Sequence, residues 1–168
     1  RLKQLSFLLS SLLLIVLLLE GVYLFHPTLQ QLEQTSQELV ATKQLVQQQV
    51  NWLQGILNNL PAFISLKDTQ GRYLVVNRPF AKFLRTSAEE VKGRTDHDFF
   101  HSQLATELQA HDRKVLETNL PLDFEEVLPQ SDGPHTYWSL KFPLSNGTNP
   151  YALCNIATDI TASQKMED

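Results

Sequence analysis

The chain has 168 residues and a mass of 19.2 kDa, which is room for one compact domain with additional segments but not for a complete two-domain enzyme. Its formal net charge is −4, so it lacks the cationic excess of proteins that coat nucleic acid, and we expect no nucleic-acid partner. The single cysteine, Cys154, excludes an internal disulfide framework and a zinc site built on several cysteines. The chain begins with Arg1 and stops in a polar stretch, and we interpret it as a piece of a longer protein.

The first apolar segment, Leu5–Phe25, has the length and composition of a transmembrane helix. It holds one charged residue, Glu20, and about 20 apolar residues in a helix cross the hydrocarbon core of a bilayer. A cleaved signal peptide is the alternative, but the apolar run is long for one and no small-residue cleavage site follows it. We therefore predict a membrane helix over residues 5–25.

The basic residues around this segment bear on its orientation. Arg1 and Lys3 precede it, and the next basic residue after it is Lys43. By the positive-inside rule, this pattern places residue 1 in the cytoplasm and everything after Phe25 outside.

Residues 28–60 carry a heptad pattern. Two columns of residues recur every seven positions and are offset by three, and the second column is wholly apolar. The columns are Leu29, Ser36, Lys43, Val50, Leu57 and Leu32, Leu39, Val46, Leu53, Leu60. We predict a parallel two-stranded coiled coil in a homodimer, with its seam at Leu29, Leu32, Leu39, Val46, Val50, Leu53, Leu57 and Leu60. A solitary amphipathic helix packed on its own domain is the alternative.

After Pro61 the hydrophobic period changes to 2, which is typical of strands. Between the second and third strands, Asn77 is predicted to cap a short helix, Ser87 with Glu90 forms a capping box, and Asp96 caps a third short piece. The predicted strands are 62–67, 72–76, 122–128, 137–143 and 151–159, a longer helix spans 102–118, and turns lie at 68–71, 131–134 and 145–148. This order predicts an α+β fold with one five-stranded antiparallel sheet and its helices on one face.

Residues from Trp52 to Asp168 resemble a PAS domain of the sensory-box type. The resemblance rests on LKDTQGRYLVVNRPFAKFL, GRTDHDFF, HDRKVLETNLPLDFEE and the closing SDG, WSLKFPL and IATDIT segments, in that order. It implies a PAS domain over 61–161, followed at 162–168 by the start of an exit linker to a further effector domain. Histidine kinases of two-component systems are the commonest such effectors, and enzymes of cyclic-di-GMP metabolism come next.

The resemblance also implies how a signal leaves the domain. In the family, the Asp and Thr of the closing Asp159-Ile160-Thr161 signature tie the exit helix to the sheet, and we expect Asp159 to pair with Lys67. The family further implies dimerisation through the PAS domain and a location on the cytoplasmic side of the membrane. That location competes with the positive-inside count, and we favour it.

The identity of any ligand is left open by the sequence. A PAS cavity would be lined by candidates on the predicted elements, namely Phe63, Tyr73, Phe83, His111 and Trp138. A flavin adduct is not expected, because the only cysteine, Cys154, falls in the last strand and not on a helix. Haem ligation by His111 is a distant alternative to a histidine at the edge of the core that bonds to Glu107 or a backbone carbonyl. Core filling is favoured for Trp138.

Catalytic motifs are missing from the sequence. It contains no G-x-S-x-G, no phosphate-binding loop and no H-E-x-x-H, so we predict no enzyme activity for this chain, although the full-length protein could be an enzyme. His97 and His101 are interpreted as solvated residues, and no metal site is predicted. We therefore expect a sensory PAS module in a membrane-bound signalling protein. The alternatives are a ligand-free dimerisation module and an extracytoplasmic ligand-binding domain.

Overall fold

A computed structural model of the chain describes residues 2–147 and 149–167. Arg1, Thr148 of the third predicted turn and Asp168 of the predicted exit linker lie outside the described residues. The chain divides into two units, Arg1–Asn51 and Trp52–Asp168, each with its own internal contacts.

The N-terminal part of the chain is a single α-helix, α1 (Leu2–Asn59), which includes both the predicted membrane segment and most of the heptad segment. Pro27 lies inside it, and the neighbouring Thr28 hydroxyl donates a hydrogen bond to the carbonyl of Phe25 at 2.6 Å. From Leu9 onward the helix is long and apolar enough to cross a membrane, judged by length and composition, with a mean hydropathy of 2.0 in its most apolar window.

The heptad columns of α1 present apolar side chains to the surroundings. Most side chains of the predicted seam are exposed, namely Leu29, Leu32, Leu39, Val46, Val50, Leu53 and Leu60, and Leu57 is half-buried. Pairing with a second helix would remove this apolar surface from water. The coiled-coil dimer itself stays a prediction.

The second unit is built on one antiparallel sheet, as predicted. Its strands are β1 (Phe63–Asp68), β2 (Tyr73–Val76), β3 (Leu122–Gln130), β4 (Gly133–Asn146) and β5 (Asn149–Asp159). They lie in the order β2-β1-β5-β4-β3, so the first and last strands of the unit are neighbours in its centre. The period-2 alternation places Phe63, Ser65 and Lys67 of β1 on the inner face, opposite Asn155 and Ala157 of β5.

Helices of different lengths cover the inner face of the sheet. They are α2 (Arg78–Phe83), α3 (Ala88–Val91), a 3-10 turn (Asp96–Asp98) and α4 (Ser102–Thr118), and α5 (Thr161–Glu167) follows the last strand. The predicted caps of the first two are confirmed, since the Asn77 side chain accepts from Phe80 N and Ser87 forms a capping box with Glu90. Asp96 is not the cap of the third piece. Thr95 takes that position, because the side chain of Asp96 is turned into the core.

Aromatic rings join the two halves of the core. One group of buried residues lies around Tyr73 and Phe80, and the other lies around Leu108 and Tyr137. Phe63, Phe83 and Phe100 pack against both groups. The ring centroids of Phe63 and Phe83 are 4.8 Å apart and those of Phe63 and Tyr137 are 4.9 Å apart, so the centre of the fold is filled by stacked rings.

The last three strands are longer than the pattern predicts. β3 and β4 stay paired as far as Gln130 and Gly133, which leaves a loop of only Ser131 and Asp132. Gly133 has a φ of 132°, a value that residues with a Cβ rarely adopt. It is the first residue of β4, so the chain reverses at residues 131–132, whereas the predicted turn spans 131–134. β5 likewise begins at Asn149 rather than Tyr151.

Candidate functional site

The interior of the second unit contains a cluster of charged side chains from five elements. Lys67 Nζ lies 2.5 Å from Asp96 Oδ2 and 2.7 Å from Asp112 Oδ2. Lys141 Nζ lies 2.7 Å from Asp112 Oδ1 and 3.0 Å from Glu126 Oε1. All five residues are buried. We call Lys67, Asp96, Asp112, Glu126 and Lys141 the ionic cluster, and its two lysines alternate with its three carboxylates.

Further polar groups contact the ionic cluster at both ends. The Tyr73 hydroxyl donates to Asp96 Oδ1 at 2.6 Å, and the Ser139 hydroxyl donates to Glu126 Oε2 at 2.7 Å. His111 Nδ1 lies 2.9 Å from Glu126 Oε1. Every carboxylate of the cluster therefore has at least two partners, as buried charges require.

The pairing decides the ionisation of the buried carboxylates. Burial by itself would raise the pKa of Asp112, but Lys141 and Lys67 outweigh it and hold that pKa below the usual value. Burial likewise opposes ionisation of Glu126, whose pKa is nevertheless lowered by hydrogen bonds from His111 and Ser139 and by the charge of Lys141. Burial would lower the pKa of Lys141, yet Asp112 and Glu126 raise it to about 12.

The space left inside the unit is small. A cavity of about 20 Å³ lies beside the ionic cluster, lined among others by Phe63, Tyr73, Phe80 and Asn155. A volume of this size corresponds to about one water molecule. Asn155 Oδ1 is buried and has no hydrogen-bond partner among the described residues, so it is the atom that such a water would satisfy. In this conformation the cavity is far too small for a haem or a flavin.

The predicted cavity residues separate into different environments. Tyr73 is buried in the core, and Phe63 and Phe83 are partly buried and pack against it; their role in binding a ligand stays a prediction. Trp138 is not in the core: it lies on the outer face of β4 with 40% of its surface exposed, and its neighbour Tyr137, 3% exposed, fills the core instead. Alternation along the strand sends one of the two inward, and the preference for Trp138 as the core residue is wrong.

His111 stands at the edge of the core. Its ring stacks on Phe124 at 4.0 Å between centroids, and its Nδ1 faces Glu126. The partner is therefore neither Glu107 nor a backbone carbonyl, because Glu126 on β3 reaches the histidine across the helix–sheet boundary. His101 is exposed, in agreement with its interpretation as a solvated residue, and its Nδ1 also accepts from Leu104 N and caps α4.

A second polar group lies where the chain leaves the sheet. Asp159 Oδ1 accepts from the backbone N–H of Thr161 at 2.9 Å, and the Thr161 hydroxyl accepts from Thr136 N at 2.9 Å. Ile160 N donates to Thr136 O at 2.9 Å. The segment Asp159-Ile160-Thr161, from here on the exit segment, is thus bound to the start of β4. Whether it transfers a signal is a matter for proposal.

The predicted partner of Asp159 is wrong. Lys67 is bound to Asp96 and Asp112 inside the ionic cluster, while Asp159 Oδ2 lies 2.6 Å from Nδ1 of His135. Partial burial would raise the pKa of Asp159, but the hydrogen bonds from His135 and Thr161 together outweigh it and lower that pKa. Lys67 is unavailable because its position on β1 points to the inner face, whereas Asp159 ends β5 at the rim of the sheet.

Cys154 is half-buried on β5. Burial raises the pKa of its thiol to about 11, which keeps it protonated and unreactive at neutral pH. It lies in the last strand, where the sequence places it.

Sequence reasoning missed most of the ionic cluster. Asp112 had a signal, because it lies four residues after Leu108 and three before Val115 on the predicted core stripe of α4. Lys141 had one as well, since it continues the inward alternation of Tyr137 and Ser139. Neither signal identifies a partner, which only the fold brings into reach.

Comparison with known proteins identifies the second unit. Residues 57–165 match the family described as the PAS fold. A diguanylate cyclase of Vibrio cholerae is 34% identical over 110 residues, which cover 63% of this chain. The match spans only 34% of the cyclase, about a third of that relative's length.

Solved structures show the same fold. VqmA of Vibrio cholerae, solved in complex with a ligand and DNA, superposes with a TM-score of 0.58 at 24% identity, over 64% of this chain and 50% of VqmA. The PAS domain of an HTR-like protein from Haloarcula marismortui gives a TM-score of 0.57 at 21% identity, over 71% of this chain and 98% of that domain. At such identities the likeness concerns the fold alone. Since the family match covers more than half of the sequence, the chain belongs to the PAS family.

Proposed function

We propose that this chain is the regulatory input module of a membrane-anchored, dimeric signalling protein, and that it passes conformational changes through the exit segment to a C-terminal effector. The observation that carries the proposal is the attachment of the exit segment. Helix α5 begins two residues after β5, and its first turn is hydrogen-bonded to Thr136 on β4.

Strand β4 connects the interior with this attachment. Its inward residues Ser139 and Lys141 bind carboxylates of the ionic cluster. Near its start, His135 and Thr136 bind the exit segment. A strand is stiff along its length, so a rearrangement of the cluster that moves β4 also moves the groups that hold α5. A module of this kind transmits a conformational change without catalysing a reaction.

For the effector, the relative favours a nucleotide cyclase. A diguanylate cyclase carries a segment that is 34% identical to this chain, and no comparable observation favours the histidine kinase. We therefore propose a diguanylate cyclase as the effector. Because such an enzyme uses GTP, the proposal places the PAS unit in the cytoplasm, against the count of basic residues around the membrane segment.

The test uses the full-length protein and the change Asp159→Ala. The variant is expected to fold as the wild type does but to lose regulation of its cyclic-di-GMP output. Asp123→Ala, which removes an exposed carboxylate of β3, is the matched control and is expected to leave regulation intact. Normal regulation in the Asp159 variant would contradict the role of the exit segment. Activity with ATP and histidine phosphorylation in place of GTP turnover would identify a kinase instead.

The side of the membrane is tested separately. A fluorescent protein and alkaline phosphatase, each fused after residue 168, report cytoplasmic and extracytoplasmic locations respectively. Fluorescence without phosphatase activity is the expected result. The reverse would support an extracytoplasmic sensor domain and would contradict a cytoplasmic effector.

A second candidate function is a dimerisation module without a ligand, and the filled interior favours it. The cavity of about 20 Å³ leaves space for a water but not for an organic molecule in this conformation. Native mass spectrometry of the purified chain distinguishes the two candidates. A retained small molecule supports a ligand-regulated module, and a ligand-free dimer supports the second candidate.

A further inference from the structure

His135 occupies an unusual position between two carboxylates. Its Nδ1 lies 2.6 Å from Oδ2 of Asp159 at the end of β5, and its Nε2 lies 3.1 Å from Oδ1 of Asp132 in the β3–β4 loop. A neutral imidazole carries one N–H and can donate to only one of these oxygens. The ring can donate an N–H to both oxygens only when it is the doubly protonated imidazolium.

We propose that His135 is a proton-dependent positioning residue for the exit segment, which in its charged form clamps Asp159 to the hairpin loop and in its neutral form releases one of the two contacts. The proposal rests on the proposed function for its biological meaning, but the clamp itself is a property of this chain. The signal to which the exit segment responds is then the protonation of His135.

The surroundings of His135 support the charged form. The groups that face it from the neighbouring elements are the carboxylates of Asp132 and Asp159, and Tyr137 follows on the same strand with its hydroxyl bound to Gln130 of β3. The position opposite it on β3 is the apolar Leu128. Among the described side chains, the charged groups that act on the ring are Asp159 and Asp132, and both favour its protonation.

The direction of the pH effect follows from these contacts. The hydrogen bond to Asp159 raises the pKa of His135 above its usual value of about 6.5; desolvation opposes it, and the contact with Asp132 and the two carboxylate charges add to the rise. A group whose folded-state pKa is raised stabilises the folded contact below the unfolded value and loses that contribution as the pH rises through the folded value. The clamp is therefore tight in mild acid and weakens above neutrality.

The exit segment has other bonds that do not depend on this proton. The Thr161 hydroxyl and Ile160 N still bind Thr136, and Asp159 Oδ1 still caps the first turn of α5. Loss of the clamp therefore loosens the start of α5 without releasing it. A graded change of this kind suits a modulator of output rather than an on–off switch.

The test is amide hydrogen exchange of the full 168-residue chain in lipid nanodiscs, read at the backbone N–H groups of Thr161 and Gln164. Protection factors, corrected for the intrinsic exchange rate, are compared at about pH 6 and about pH 8.5, on either side of the ordinary histidine pKa. In the wild type, protection is expected to fall by about two- to fivefold at the higher pH, the range of a surface ion pair.

Two variants separate charge from shape. His135→Gln is neutral at both pH values and is expected to show the lower protection throughout. His135→Arg is charged at both and is expected to keep the higher protection throughout. His97→Gln, which removes an exposed histidine of the 3-10 turn, is the matched control and is expected to retain the wild-type pH dependence.

A wild-type protection factor that is equal at both pH values would overturn the proposal, and so would a pH dependence that persists in both His135 variants. Because this readout needs no effector, its failure leaves the proposed function standing. Conversely, a working clamp in a protein whose output ignores Asp159→Ala would contradict the proposed function alone.

Discussion

Replacing Lys141 by methionine should strongly destabilise the second unit. The change keeps the length of the side chain but removes the cation that joins Asp112 to Glu126. The ionic cluster then holds three buried carboxylates and one lysine, in place of three and two. Removing one partner of a buried ion pair costs about 3–5 kcal/mol, because the remaining charge is left without compensation. We expect the free energy of unfolding at neutral pH to fall by about 3–5 kcal/mol.

The loss should depend on pH in a way that identifies its cause. In the wild type the pKa values of Asp112 and Glu126 are lowered, so their contribution is present above their unfolded values of about 4 and is lost as the pH falls through the folded values. Without Lys141, less positive charge offsets the effect of burial, so the pKa values of Asp112 and Glu126 rise and these carboxyls bind protons at higher pH. Protonation then relieves the penalty, and the difference between variant and wild type should narrow towards about pH 5.

The assay is urea unfolding of the full chain in neutral detergent, followed by tryptophan fluorescence. A Trp52→Phe background leaves Trp138, on the outer face of β4, as the reporter. Lys114→Met on the exposed side of α4 is the matched control and should change stability by less than about 0.5 kcal/mol. A loss below about 1 kcal/mol for Lys141→Met, or one that is the same at both pH values, would refute the account of the ionic cluster.

Two further changes test the other parts of the chain. Asn77→Ala should cost about 3 kcal/mol in the same unfolding assay, because this buried side chain accepts from Ile64 N and Phe80 N and donates to two carbonyls, those of Leu57 and Ala62. Asn77→Asp keeps the acceptor but loses both donors, so it should lose less stability than Asn77→Ala, and equal losses would contradict the role of the acceptor. Leu39→Asp should shift the chain towards monomer in analytical ultracentrifugation in detergent, since it buries a charge in the predicted seam, whereas the same change at position 45, outside the seam, should not. Equal effects of the two aspartates would remove the coiled-coil prediction.

Local chemistry made much of the fold predictable. Helix α4 occupies 102–118, as its spacing of apolar residues predicts, and Val115 on its core stripe is fully buried. The caps at Asn77 and Ser87 and the turn after Asp68 need only neighbours within four residues. Such features depend on short stretches of chain, and one sequence contains all the information they require.

Contacts between distant elements were not predictable in the same way. Lys67 lies 29 residues from Asp96 and 45 from Asp112 along the chain, so no spacing rule connects them. A lysine or glutamate in a strand is usually an exposed residue, and burial of Lys141 and Glu126 is favourable only because each meets opposite charge. The choice of His135 rather than Lys67 as partner of Asp159 likewise depends on which face of the sheet each residue occupies.

The environment of Cys154 has a practical consequence for measuring movements of α5. With a pKa of about 11, only about one thiol in 10,000 is ionised at pH 7, against about one in a hundred for an ordinary exposed cysteine. A maleimide or nitroxide reagent should therefore react far faster with a cysteine introduced on the surface of α5 than with the native one. Distance measurements by spin or fluorescence labelling can then be made in the otherwise unaltered protein.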